Sequence, residues 1–95
     1  MAPTLPGGYT DWQFPMTDEA TQAFKAAFQG FCGVGYNPVA FATQVIAGER
    51  YAFLALGTTV TATPRQLVAV IHVVKPLQGE PHIEEIKQIS QDFGQ

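Results

Sequence analysis

The feature that most constrains this chain is a change of hydrophobic period at Asn37-Pro38. Before it, Ala20, Phe24, Ala27, Phe28 and Phe31 recur at i, i+4, i+7, i+8 and i+11, the stripe of an amphipathic helix. Thr17 offers an N-cap, and Asp18 and Glu19 suit the positive end of a helix dipole. Gly30, Gly33 and Gly35 crowd the far end, and Pro38 blocks continuation, so the helix is predicted at about 17–31. After it, Val39–Val45, Tyr51–Leu56 and Gln66–Val74 are runs rich in Val, Ile, Phe, Tyr and Thr, which predict strands. Ala47-Gly48-Glu49 is expected to close the first hairpin, 57–64 the second and Pro76-Leu77-Gln78-Gly79-Glu80-Pro81 a third. One helix followed by an antiparallel meander makes an α+β domain, with the Phe stripe packed on one sheet face.

The C-terminal segment reads two ways. Ile83, Ile86, Ile89 and Phe93 recur at helical spacing and Pro81, Glu84 and Glu85 suit a helix start, which favours a helix over 82–93. The Pro-Gly punctuation before it also fits another hairpin strand.

Ninety-five residues make one domain with a modest core, and 46% apolar with 14% charged residues suit a folded chain rather than a disordered one. The net charge is −3 and the five Lys and Arg are scattered, so nucleic acid is not an expected partner. The single Cys32 excludes an internal disulfide, and no His/Cys cluster is spaced for a metal, so no cofactor is expected. No run approaches a membrane span or a signal peptide, and a soluble, cytoplasmic protein is the simplest expectation.

Residues 1–8, with two Pro and two Gly, read as a mobile arm. Tyr9 to Phe14 reads as a short strand stopped by Pro15, with Trp12 covering the sheet edge. Pro6-Gly7-Gly8, the helix, Thr43-Gln44-Val45-Ile46-Ala47-Gly48, Tyr51 and a later proline loop then follow in one order. In that order and spacing, over about residues 5 to 76, the chain resembles the stefin branch of the cystatins. The loop differs from the stefin Gln-Val-Val-Ala-Gly motif only by Ile46 for Val.

The resemblance implies a cystatin-like fold, one long helix packed on an antiparallel sheet of four to five strands, and a reversible, non-covalent inhibitor of papain-like cysteine proteases. Gln44, Val45, Ile46, Ala47 and Gly48, with the turn at Pro76 and Leu77, would insert on the primed side of the cleft. Leu5, Pro6, Gly7 and Gly8 would occupy the non-primed side. Gly7 would let the arm bend away from the catalytic cysteine, Pro6 would lie in the first pocket and Leu5 in the second. Lys75-Pro76-Leu77 departs from the family's usual second loop, and Leu77 would replace its contact with less area. The resemblance also implies a final strand where the Ile spacing favours a helix.

Catalysis is not expected. Cys32 at the helix end reads as a buried small hydrophobe, His72 sits in an apolar strand, His82 is in a loop, and no oxyanion motif accompanies them. If Phe41, Tyr51, Phe53, Leu67, Ala69 and Ile71 face the helix, alternation sends Ala40, Ala42, Leu54, Leu56, Val68 and Val70 to the opposite face without a charge. Such a face marks an interface, and a homodimer or partner around Leu54, Leu56, Val68 and Val70 is expected there. Exchange of the helix and first strands through Val45-Ile46 is a second route to a dimer, and a non-inhibitory scaffold of cystatin fold associating through this face is the alternative function.

Overall fold

The structure is a computed structural model that describes residues 8–31 and 33–90. Leu5, Pro6, Gly7, Cys32 and Phe93, each assigned a role or a face above, lie outside the described residues. The elements are α1 (Asp18–Ala27), β1 (Val34–Ile46), β2 (Gly48–Thr59), β3 (Gln66–Pro76) and β4 (His82–Ser90). The four strands form one antiparallel sheet in the order β1-β2-β3-β4.

The start of α1 follows from its cap: Thr17 is extended (φ −91°, ψ 163°) and its Oγ1 accepts the Ala20 N–H at 3.1 Å. Its end departs from the stripe. The helix stops at Ala27, shorter than the predicted 17–31, and Phe28 is the C-cap. Gly30 takes a positive φ of 84°, and Phe28 and Phe31 turn onto Tyr36 of β1 with ring centroids 5.6 and 6.2 Å away. A longer helix would hold Gly30 in its interior, at about 1 kcal/mol, and surrender these aromatic contacts.

The inner sheet face is the one alternation predicts. Phe41, Tyr51, Phe53, Ala55, Leu67, Ala69, Ile71 and Val73 are buried with Ala20, Ala23 and Phe24 of α1. Phe24 meets Phe53 edge-on at 5.1 Å and stacks on Phe28 at 4.4 Å. β1 begins at Val34, before the predicted Val39, because a register shift between Pro38 and Ala40 absorbs the proline as a bulge.

Residues 82–90 form a strand, which corrects the helical preference. The Ile spacing has a different cause: β3 residue His72 pairs with Glu85 while its neighbour Val73 pairs with Ile83, leaving Glu84 as an extra residue. That bulge puts Ile83 and Ile86, three apart, on the same core-facing side. A second register shift at Val68/Ala69 leaves Ile89 as the extra residue there, 40% exposed and outside the core cluster.

The uncharged outer face carries a partial cover. The segment before α1 bridges β1 at Tyr9–Gln44 and Gln13–Phe41, with Thr10 N–H donating to Thr43 O at 2.9 Å and Gln13 N–H to Phe41 O at 2.7 Å. Tyr9 and Trp12 then pack over Ala42, Ala52 and Val70 together with Leu54. Val70 is therefore buried rather than free, Leu54 and Val68 are half-buried, and of the four only Leu56 is exposed. No helix among the described residues is long and apolar enough to cross a membrane.

Candidate functional site

The β1–β2 turn, the β3–β4 loop and the start of the described chain lie at one end of the sheet. Ile46 pairs with Gly48, so Ala47 alone makes the turn, tighter than the predicted Ala47-Gly48-Glu49. Gly48, at φ 110°, is in the left-handed region that favours glycine. It also pairs with Pro76 across β2–β3, which sets the two turns side by side. A β-carbon at 48 would overlap the Lys75 carbonyl oxygen and lie 2.9 Å from both Leu77 N and Pro76 Cα. The two backbones approach this closely because residue 48 has no side chain.

That packing leaves two apolar tips in solvent: Val45 is 84% and Leu77 80% exposed. Ala47 is exposed, while Gln44, Ile46, Gly48 and Pro76 are half-buried. The third part of the expected edge enters at Gly8, whose φ is 92° and whose added β-carbon would stand 2.8 Å from Gln44 Nε2. The structure thus gathers Gly8, Gln44–Gly48, Pro76 and Leu77 at one end. Leu54, Leu56, Val68 and Val70 belong to rows of the sheet farther from it.

Behind these turns lies a cluster that sequence reasoning did not single out. Arg50, paired with Gln44 across the hairpin, donates from Nη1 to Gln44 Oε1 at 3.0 Å and from Nη2 to Glu84 Oε2 at 3.2 Å. Its Nε lies 3.1 Å from Glu84 Oε1, an ion-pair contact whose angle is too poor for a hydrogen bond. Tyr9 Oη is 3.2 Å from His72 Nδ1, and Tyr9, Gln44, Arg50, His72, Glu84 and Glu85 line a shallow cleft of about 230 Å³. Burial pushes the Tyr9 hydroxyl up from its ordinary pKa; Arg50 opposes this and Glu84 adds to it.

His72 is thus engaged with Tyr9, and His82 Nδ1 is 3.5 Å from Glu80 O. Among the described residues no three His, Cys, Asp or Glu side chains are grouped as a metal site. The arrangement offers exposed apolar turns held on a rigid ladder. Chemically that suits surface recognition: burying a Val or Leu side chain contributes about 1.5–3 kcal/mol. Comparison with family models, with curated proteins and with solved structures finds no match to this chain.

Proposed function

We propose that this chain is a reversible, non-covalent inhibitor of papain-like cysteine proteases, a cystatin-like protein of stefin type that acts as a wedge. The observation that carries the reading is the juxtaposition of the Ala47 and Leu77 turns through the Gly48–Pro76 contact, with Gly8 at the same end. A cleft protease needs an occupant on both sides of its nucleophile that offers it no scissile bond. Val45, Ile46 and Leu77 would supply apolar area on the primed side. Leu5 and Pro6 would fill the two non-primed pockets, and Gly7 would keep the arm clear of the cysteine.

Because the two turns belong to a hydrogen-bonded ladder, their geometry exists before binding and little ordering cost attaches to them. The alternative, a scaffold that associates through the outer sheet face, loses part of its surface to Tyr9 and Trp12. The test uses papain whose catalytic cysteine carries a small alkyl group. A wedge still binds that enzyme, measurably by titration calorimetry, and is recovered uncleaved; binding abolished by the alkyl group contradicts a non-covalent wedge.

A further inference from the structure

The two edges of the sheet are finished differently. Along β1 the segment before α1 bridges at Tyr9–Gln44 and Gln13–Phe41, and Pro38 lacks the N–H that a neighbouring strand would take. Along β4, nothing among the described residues pairs with the side turned away from β3. One row of the sheet shows which groups stand open there. Phe41 exchanges both backbone bonds with Gln13 and so points away from Phe53; Phe53 then bonds Ile71, and Ile86, opposite Ile71, turns its N–H and C=O outward.

An open edge is a template for another strand, and charges placed on it ordinarily discourage pairing. On β4 the order of the signs decides which pairing they discourage. Glu85 and Lys87 lie opposite His72 and Val70, hence on the outer side of the sheet; both are exposed and neither has an ion-pair partner among the described residues. Glu85 to Gln88, between the extra residues Glu84 and Ile89, pairs with β3 without a shift and is the regular part of this edge. Antiparallel addition of a second β4 about Ile86 sets each Glu85 opposite Lys87 of the second copy, and Ile86 opposite Ile86. Moving the axis one residue either way sets Glu85 on Glu85 or Lys87 on Lys87, which is destabilising. The favoured register also brings Ile89, 40% exposed, opposite Ile83 of the second copy.

We propose that the β4 edge takes a second copy of this chain by antiparallel strand addition about Ile86, joining the two four-stranded sheets into one continuous sheet. The two β4 strands run in opposite directions, so the Ala47 and Leu77 turns of the two copies lie at opposite ends of the dimer and stay uncovered. One strand pair is a small interface of the transient kind, and the dimer forms at concentrations on the order of 100 μM.

The experiment is sedimentation of the full chain from about 10 μM to about 1 mM, with Glu85→Lys, Lys87→Glu, the double exchange, and an equimolar mixture of the two single variants. Wild type passes from monomer to dimer, and each single variant weakens dimerisation by about tenfold or more. The double variant restores it, and so does the mixture, in which an edge with two lysines meets an edge with two glutamates. Amide exchange at Ile86 slows with concentration in wild type and not in either single variant alone. Melting temperatures of dilute samples stay near wild type, both positions being exposed. A wild type that stays monomeric to about 1 mM overturns the proposal. So does a dimer that the single variants leave intact, the outcome expected of exchange of the helix and first strands, or a mixture that fails to recover dimerisation.

Discussion

Gly48 and Pro76 face each other across the β2–β3 ladder so closely that a β-carbon on Gly48 would lie 2.9 Å from Pro76 Cα. One glycine therefore closes the first turn and seats the second beside it. Gly48→Ala combines a left-handed backbone with a backbone clash, and should cost roughly 2–4 kcal/mol in urea unfolding and weaken inhibition. Gly79→Ala is the control: φ is 112°, but the nearest atom to its added β-carbon is 3.5 Å away, so it should cost only about 1 kcal/mol.

The core centres on Phe53, fully buried between Tyr51, stacked at 5.3 Å, and Phe24. Phe53→Ala should destabilise the chain by about 3–5 kcal/mol, through lost burial and the cavity left under α1. A chemical-denaturation midpoint within experimental error of wild type would contradict this packing.

Alkaline pH should act through Tyr51. Burial first, then the Glu49 and Glu19 carboxylates and a hydrogen bond to Glu49, push its hydroxyl up to about 12. The folded chain therefore keeps a proton that the unfolded chain, titrating near 10, has released. The contribution to stability is whole below pH 10 and is lost as pH rises toward 12, on the order of 2–3 kcal/mol over that interval. Tyr51→Phe should remove this part of the alkaline loss, seen as a shallower fall of unfolding free energy between pH 9 and 12.

Much of this fold is legible in the sequence, and the exceptions share a cause. The Thr17 cap, three strands and the inner face at Phe41, Phe53 and Ile71 follow from local period alone. Ile83 and Ile86 mislead because a bulge in one strand imitates helical spacing, and only pairing with β3 reveals it. The landing of Tyr9 and Trp12 on Ala52 and Val70 is long-range and carries no local signal beyond an aromatic run. At the end of the sheet where the turns meet, Gln44 to Gly48, Pro76 and Leu77 are legible in the sequence as turn segments. Arg50 was one step from readable: with Ala47 alone at the turn, residues 44 and 50 must pair. Glu84 was hidden by the same bulge as the isoleucines.

Trp12 covers apolar sheet that would otherwise be exposed. Trp12→Ala should therefore lower stability by roughly 1–3 kcal/mol and shift sedimentation toward larger species at concentrations where the wild type is monomeric. A variant that sediments as wild type does would mean that Ala42, Ala52 and Val70 need no cover.

The central claim is that the two exposed tips act as one edge, and titration of papain with wild type, Val45→Asp and Leu77→Asp tests it most directly. Both substitutions are at positions at least 80% exposed and should leave folding intact. The account predicts that wild type inhibits reversibly and that each Asp raises the inhibition constant by about 10–100-fold, as loss of a buried interface anchor does. Papain left fully active by excess wild type, or inhibited equally by all three chains, would contradict it.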